Sequence, residues 1–399
     1  MTRWRGLLAP AVVLAVVWGV ALFHGPTSDV HINDLNVYRS YSDLLQAGHD
    51  PYSSSFALEY PPLALVPIWL AGLVGGGSGD YETAFAVLTL LAALAVLVLT
   101  ATLARERGVT AAWIVALAPL ATGALVRTHF DLVPLALLLA GLLALTRDRP
   151  VAGFGLLGLG TMTKLFPALL VPVAAAWLLA AGRGPAAVRG VLAFVAVVVL
   201  VSLPFLGDGY VDAYRFQLDR PVQIESTPAS VLFALGGSHV TGGPTVPDAY
   251  GSNGLVGGAD DGVQTAFAIV LGAVVALVVV LVVRGPPTEG ALLLGSLAAL
   301  LAFAALGKVL SPQFLSWFVP FAALAWVRGD RALALLLAGA VLLTQLEFPA
   351  RYMLLVTERT STILLVAARN AVLLAALALT LARLAGAARS PRPAWAASR

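Results

Sequence analysis

Cysteine is absent from the 399-residue chain, which excludes disulfides, thiolate catalysis and cysteine-ligated zinc or iron–sulfur clusters. Charge is scarce. Only 11% of residues are Asp, Glu, Lys or Arg, against about 25% in soluble domains, so an ordinary cytosolic protein is excluded. Lysine occurs just twice, at 164 and 308. The formal net charge of +3 comes without a basic cluster or stripe, so nucleic acid is not an expected partner. No P-loop, Asp-x-Asp pair or His-x-x-x-His spacing is present. The expectation is therefore no metal, no nucleotide and no other cofactor.

What fills the space is apolar: 59% of residues are hydrophobic and the mean hydropathy is +0.91. Runs of about 17–25 apolar residues are long enough to cross a bilayer. About twelve runs are found, near 7–23, 82–104, 110–126, 131–146, 151–162, 165–181, 188–206, 264–284, 290–306, 310–327, 331–347 and 362–386. The stretch 151–181 is either two short helices or one broken helix. Arg3 and Arg5 before the first run resemble a secretory signal, but no small-x-small cleavage site follows, so an uncleaved first helix is expected.

The arginines set the topology. With the N-terminus in the cytoplasm and alternating helices, Arg105/Arg107, Arg147/Arg149, Arg183/Arg189, Arg284, Arg328/Arg331 and the tail arginines all fall inside. The apolar segment 62–74 is too short to span. Counting it as a span would invert every later helix, so it is expected to lie in the outer interface. Two loops, 24–81 and 207–262, then face outward. The predicted architecture is one all-α polytopic domain over 1–388, with outer juxtamembrane helices and a disordered cytoplasmic tail at 389–399. The Gly-rich part of the second loop reads as a linker or an active-site lid.

Chemistry-bearing residues collect at the outer rim. Asn33 is a fitting N-cap for a helix with Leu35, Tyr38, Tyr41/Ser42 and Leu45 on one stripe, ending at Gly48. Asp34 then sits in the first turn with Tyr38 four residues on. It either stabilises the helix start or presents a carboxylate to a lipid headgroup. Lys164 and Lys308 fall at outer helix ends beside helix-breaking prolines, where they either snorkel or bind a phosphate. His129, between Arg127 and Asp131, reads as a surface histidine or as an aid to proton transfer or hydroxyl recognition. Arg220, Gln223 and Glu225 in the second loop are candidates for binding sugar hydroxyls or phosphate. Arg369, within the last helix, calls for an ion pair with Glu347 or Glu358.

At these residues the chain resembles a known family. Asp34 with Tyr38, Gly48-x-Asp50-Pro51-Tyr52, Tyr60-Pro61-Pro62, Lys164-x-x-Pro167 and Ser311-Pro312-Gln313-Phe314 with Trp317 and Pro320 resemble glycosyltransferase family 87. Its members are GT-C-fold membrane enzymes that include polyprenol-phosphate-mannose-dependent α-mannosyltransferases. The resemblance implies inverting sugar transfer, with mannose or arabinofuranose as the sugar, from a polyprenyl-phosphate donor to a cell-envelope glycolipid or glycan on the outer face. It implies Asp34 as catalytic base. Lys164, Lys308 and Arg220 become the donor-phosphate ligands, and Tyr38, Tyr60, His129, Gln223, Glu225 and Gln313 the substrate ligands. A secondary transporter is the competing class; it requires paired ionisable residues near the midplane, whereas the ionisable residues here lie at the rim.

Overall fold

In a computed structural model of the chain, the described residues are 2–24, 28, 32–53, 56, 58–76, 78–241 and 252–389. Of the disordered tail expected at 389–399, Arg389 ends the last helix and 390–399 lie outside the described residues, as does the Gly-rich stretch 242–251. All twelve apolar runs are helical. Six helices are long and apolar enough to cross a membrane: Arg5–His24, Asp80–Leu103, Gly184–Phe205, Asp260–Arg284, Glu289–Leu306 and Thr360–Arg389. Five shorter apolar helices accompany them. The protein is an all-α multi-pass membrane protein.

Proline and glycine set the breaks. The run at 110–126 is three helices, Gly108–Leu117, Pro119–Thr122 and Leu125–Thr128. Pro119 occupies a first-turn position where its missing N–H is harmless, and Gly123 turns the chain with a φ of 59°. The stretch 151–181 also breaks. Pro150–Thr163 ends at Lys164, which is extended (φ −157°, ψ 138°), and a 3₁₀ turn over Phe166–Leu169 leads into Leu170–Ala180. The two broken runs deliver His129 and Lys164 to the rim.

The chain forms two compact units, Met1–Val171 with Val188–Asp219, and Pro172–Ala187 with Arg220–Arg399. In the first, the rim helix Leu35–Gln46 buries Leu35, Tyr38, Tyr41 and Ser42. It closes at Gly48 (φ 82°), where His49 N–H bonds Leu44 C=O and Gly48 N–H bonds Leu45 C=O. That is the paired bonding of a glycine-ended helix. The 62–74 segment is helical as a short 3₁₀ turn plus Leu65–Gly75. A further helix, Asp208–Asp219, clasps the end of the first loop. Its Gln217 donates to Glu59 C=O at 3.2 Å, and Gly209 lies so close to Tyr52 C=O that no Cβ would fit. Tyr52 in turn donates to Tyr60 C=O at 2.6 Å, so this helix fixes Tyr60.

The second unit carries a small sheet. Within the 207–262 loop, expected as linker or lid, Val222–Gln223 and His239–Val240 pair antiparallel with the central strand Gly254–Val256. A capped helix, Thr227–Leu235, intervenes, with Ser226 accepting from Ala229 N–H.

The arginine placement predicts that cysteine at Ala47 will react with a membrane-impermeant maleimide in intact cells. Cysteine at Glu106 should react only after lysis. The reverse pattern would invert the topology.

A candidate active site at the rim of the first unit

The rim helix begins one residue later than its sequence implies. Asn33 Oδ1 accepts from Leu35 N–H at 2.7 Å, and Asp34 stands at the N-cap position. The Asp34 carboxylate makes no capping bond. It turns instead to Tyr38, whose hydroxyl donates to Oδ2 at 3.1 Å, and to His129, whose Nε2 is 3.4 Å from the same oxygen. Stabilising the helix start through a capping bond is therefore not its role. Among the described residues no donor engages Oδ1.

His129 is a buried histidine, not the surface residue that one reading of the sequence gave. It is extended (φ −131°, ψ 146°) between Leu125–Thr128 and the Leu132–Thr146 helix, and that link aims its ring inward. Asp131 repeats what Asp34 does. It occupies the N-cap position of Leu132–Thr146 without capping it, and its Oδ2 takes Lys164 Nζ at 2.7 Å. Lys164 also lies 5.2 Å from the Phe130 ring centroid. It neither snorkels freely nor stands unpaired: its side chain is 13% exposed and that of Asp131 only 3%. Asp131 was not among the residues singled out from the sequence. A buried lysine requires a counter-ion, and that requirement was the available signal.

Around these groups Tyr38 packs on Phe85, Phe130 and Tyr60 with ring centroids 5.5, 5.3 and 6.1 Å away. Tyr60 meets Phe130 edge-on at 5.1 Å. Asp34 remains the open member, with 38% of its side chain exposed. Burial pushes its carboxyl up, but the charges of His129 and Lys164 and bonds from His129 and Tyr38 outweigh this. The result is about 2, against an ordinary 3.8. Burial, then the Asp34 charge, hold the Tyr38 phenol well above its usual value, so Tyr38 stays a protonated donor. Two carboxylates, one lysine and one histidine thus share the rim. Among the described residues no group of three or more metal-ligating acids and histidines assembles.

The second-loop candidates assemble elsewhere, within the second unit. Gln223 donates to Glu225 Oε2 at 3.1 Å and to Ser311 Oγ at 3.3 Å. Lys308 Nζ donates to Arg220 C=O at 2.7 Å. Arg220 bonds Ser252, and Ser316 bonds the Gln313 carbonyl. Glu225 sits with Glu347 and Arg369, each 1% exposed. Arg369 and Asn370 both donate to the Glu225 carbonyl, at 2.5 and 3.2 Å. The Arg369 counter-charge is thus Glu347 with Glu225, while Glu358 is exposed on a positive-φ turn. Among the described residues, Glu225 Oε1 and both Glu347 oxygens have no hydrogen-bond partner. Burial, then the Glu347 charge, push the Glu225 carboxyl well up. Gln223 and Glu225 therefore hold the loop to the bundle.

A multi-pass membrane protein with a carboxylate–histidine–lysine group at its rim is the class these features define. Residues 58–312 match the model of glycosyltransferase family 87, well over half of the chain. The protein belongs to that family and is a glycosyltransferase. Among solved structures, ArnT from Cupriavidus metallidurans bound to undecaprenyl phosphate is similar at 16% identity and a TM-score of 0.47. The match covers 96% of this chain and 77% of that one. No functionally curated protein matches the sequence.

Proposed function

We propose that the protein transfers mannose, with inversion, from a polyprenyl-phosphate donor to a cell-envelope glycolipid or glycan at the outer membrane face, with Asp34 as general base. One observation carries this: a carboxylate at a helix start makes no capping bond and joins Tyr38 and His129, and among the described residues no donor engages its second oxygen. The acceptor hydroxyl attacks the sugar's C1 opposite the phosphate. The C1–O bond to phosphate breaks, the new glycosidic bond forms, and the hydroxyl proton passes to Asp34 Oδ1. A single base and direct displacement turn a β-linked donor into an α-glycoside, the stereochemical logic of inverting glycosidases. Phosphate is already a good leaving group, so no general acid is needed. Lys164, a cation in the same unit as the base, is the ligand for the developing phosphate charge. A lipid-borne donor accords with the lack of a nucleotide-binding motif.

Purified enzyme given a phosphatidylinositol mannoside acceptor should use short-chain polyprenyl-phosphate-mannose in preference to polyprenyl-phosphate-arabinofuranose. It should not use a nucleotide sugar. Preference for arabinofuranose would change the sugar assignment, and transfer from the nucleotide sugar alone would overturn the reading.

A further inference from the structure

We infer that His129 is the positioning residue for Asp34, anchored through Nδ1 and facing Oδ2 through Nε2, so that Oδ1 receives the acceptor's proton. This rests on Asp34 being the base. Nδ1 lies 3.1 Å from the Leu125 carbonyl and 2.9 Å from Thr128 Oγ1, and these contacts anchor the ring. Nε2 faces Asp34 Oδ2 at 3.4 Å.

A ring placed between backbone and carboxylate does two things. It fixes the plane of the Asp34 carboxyl, since Tyr38 and His129 converge on one oxygen from different segments. It also helps keep a half-enclosed carboxylate ionised. The other titratable groups facing Asp34 are Lys164, Tyr38, Tyr60 and Tyr41, with Asp131 behind Lys164 and Tyr38. The tyrosines are neutral and Asp131 opposes Lys164. The pull of His129 is the first of those that lower the Asp34 carboxyl against burial. Without it, burial gains ground and the carboxyl rises.

The test compares purified His129→Gln and His129→Asn. The Gln amide nitrogen reaches the Nε2 position without charge, whereas the Asn nitrogen reaches only the Nδ1 position. Both should keep affinity for short-chain polyprenyl-phosphate-mannose. Turnover should fall about 10- to 100-fold, with Gln the better of the two. The acid limb of kcat/KM should move upward, because His129 helps hold the Asp34 carboxyl down. In an Asp34→Asn background, His129→Gln should cost nothing further, because it acts through Asp34. An unmoved acid limb, or lost donor affinity in both variants, would overturn the assignment to His129. Asp34→Asn alone reports separately on the base: if it turns over normally, the proposed function fails whatever His129 does.

Discussion

Asp34→Asn is expected to lower transfer about 10²–10⁴-fold, the usual worth of a positioned base, while donor affinity survives. The amide keeps the carboxylate's shape and can still accept from Tyr38 through its oxygen, but it cannot take a proton. The rim helix should not suffer, because Asn33 supplies the capping oxygen and Asp34 supplies none. Asp43 is the control: it lies on the exposed face of the same helix, 3.9 Å from Arg39, and its Asn variant should remain within a few-fold of the parent. The pH dependence has a definite sign. The Asp34 carboxyl is held at about 2, below its ordinary 3.8, so the folded state favours the ionised form. Its contribution to stability is complete above about pH 4 and is lost as the pH falls toward 2. With the side chain 38% exposed, solvent screening keeps that contribution small. The practical consequence is catalytic: the base remains ionised throughout the neutral range. Product formation and donor binding, measured together on purified enzyme in nanodiscs, decide the matter. Loss of both would make Asp34 structural.

The helical frame was legible because each span announces itself in a continuous apolar run. Local signals also worked at the rim, where the Leu35–Gln46 helix and its glycine end follow from a short stretch of sequence. What periodicity did not show was contact across distance. Asp34 and His129 are 95 residues apart in sequence, and Asp131 and Lys164 are 33 apart. The breaks at Pro119, Gly123 and Lys164 bring these partners together. Reading 110–126 as one apolar run left His129 on a surface, because the four-residue helix Leu125–Thr128 that redirects the chain has no period long enough to detect. In the second unit the logic of an intramembrane arginine needing a counter-ion correctly pointed to Glu347. Glu225 was missed as its partner, and was read as a sugar ligand, because polar density in a loop looks the same whether it faces solvent or the protein interior.

That interior cluster carries the largest expected effect on folding. Arg369→Met removes the cation from two buried carboxyls and leaves the Glu225 carbonyl with a single donor, Asn370. Removing one partner of a buried ionic group costs about 3–5 kcal/mol, because the remaining charge is stranded away from water. Glu225→Gln is a different change. A Gln amide keeps the shape and relieves one of two neighbouring buried carboxyls, so the loss should stay within about 1 kcal/mol. The double variant Arg369→Met with Glu347→Gln removes both charges together and should recover part of the single variant's loss, since the two residues belong to one network. Unfolding of the purified variants by graded denaturant in detergent measures all three. Strict additivity in the double variant, or an Arg369→Met protein as stable as the parent, would show that the arginine is not neutralising these carboxyls. Because the Glu225 turn is joined through Gln223 to Ser311 and through backbone to Lys308, loosening it should also disorder the Lys308–Arg220 corner. Faster proteolysis after Arg220 in Arg369→Met, with Glu225→Gln resembling the parent, would report that loss directly.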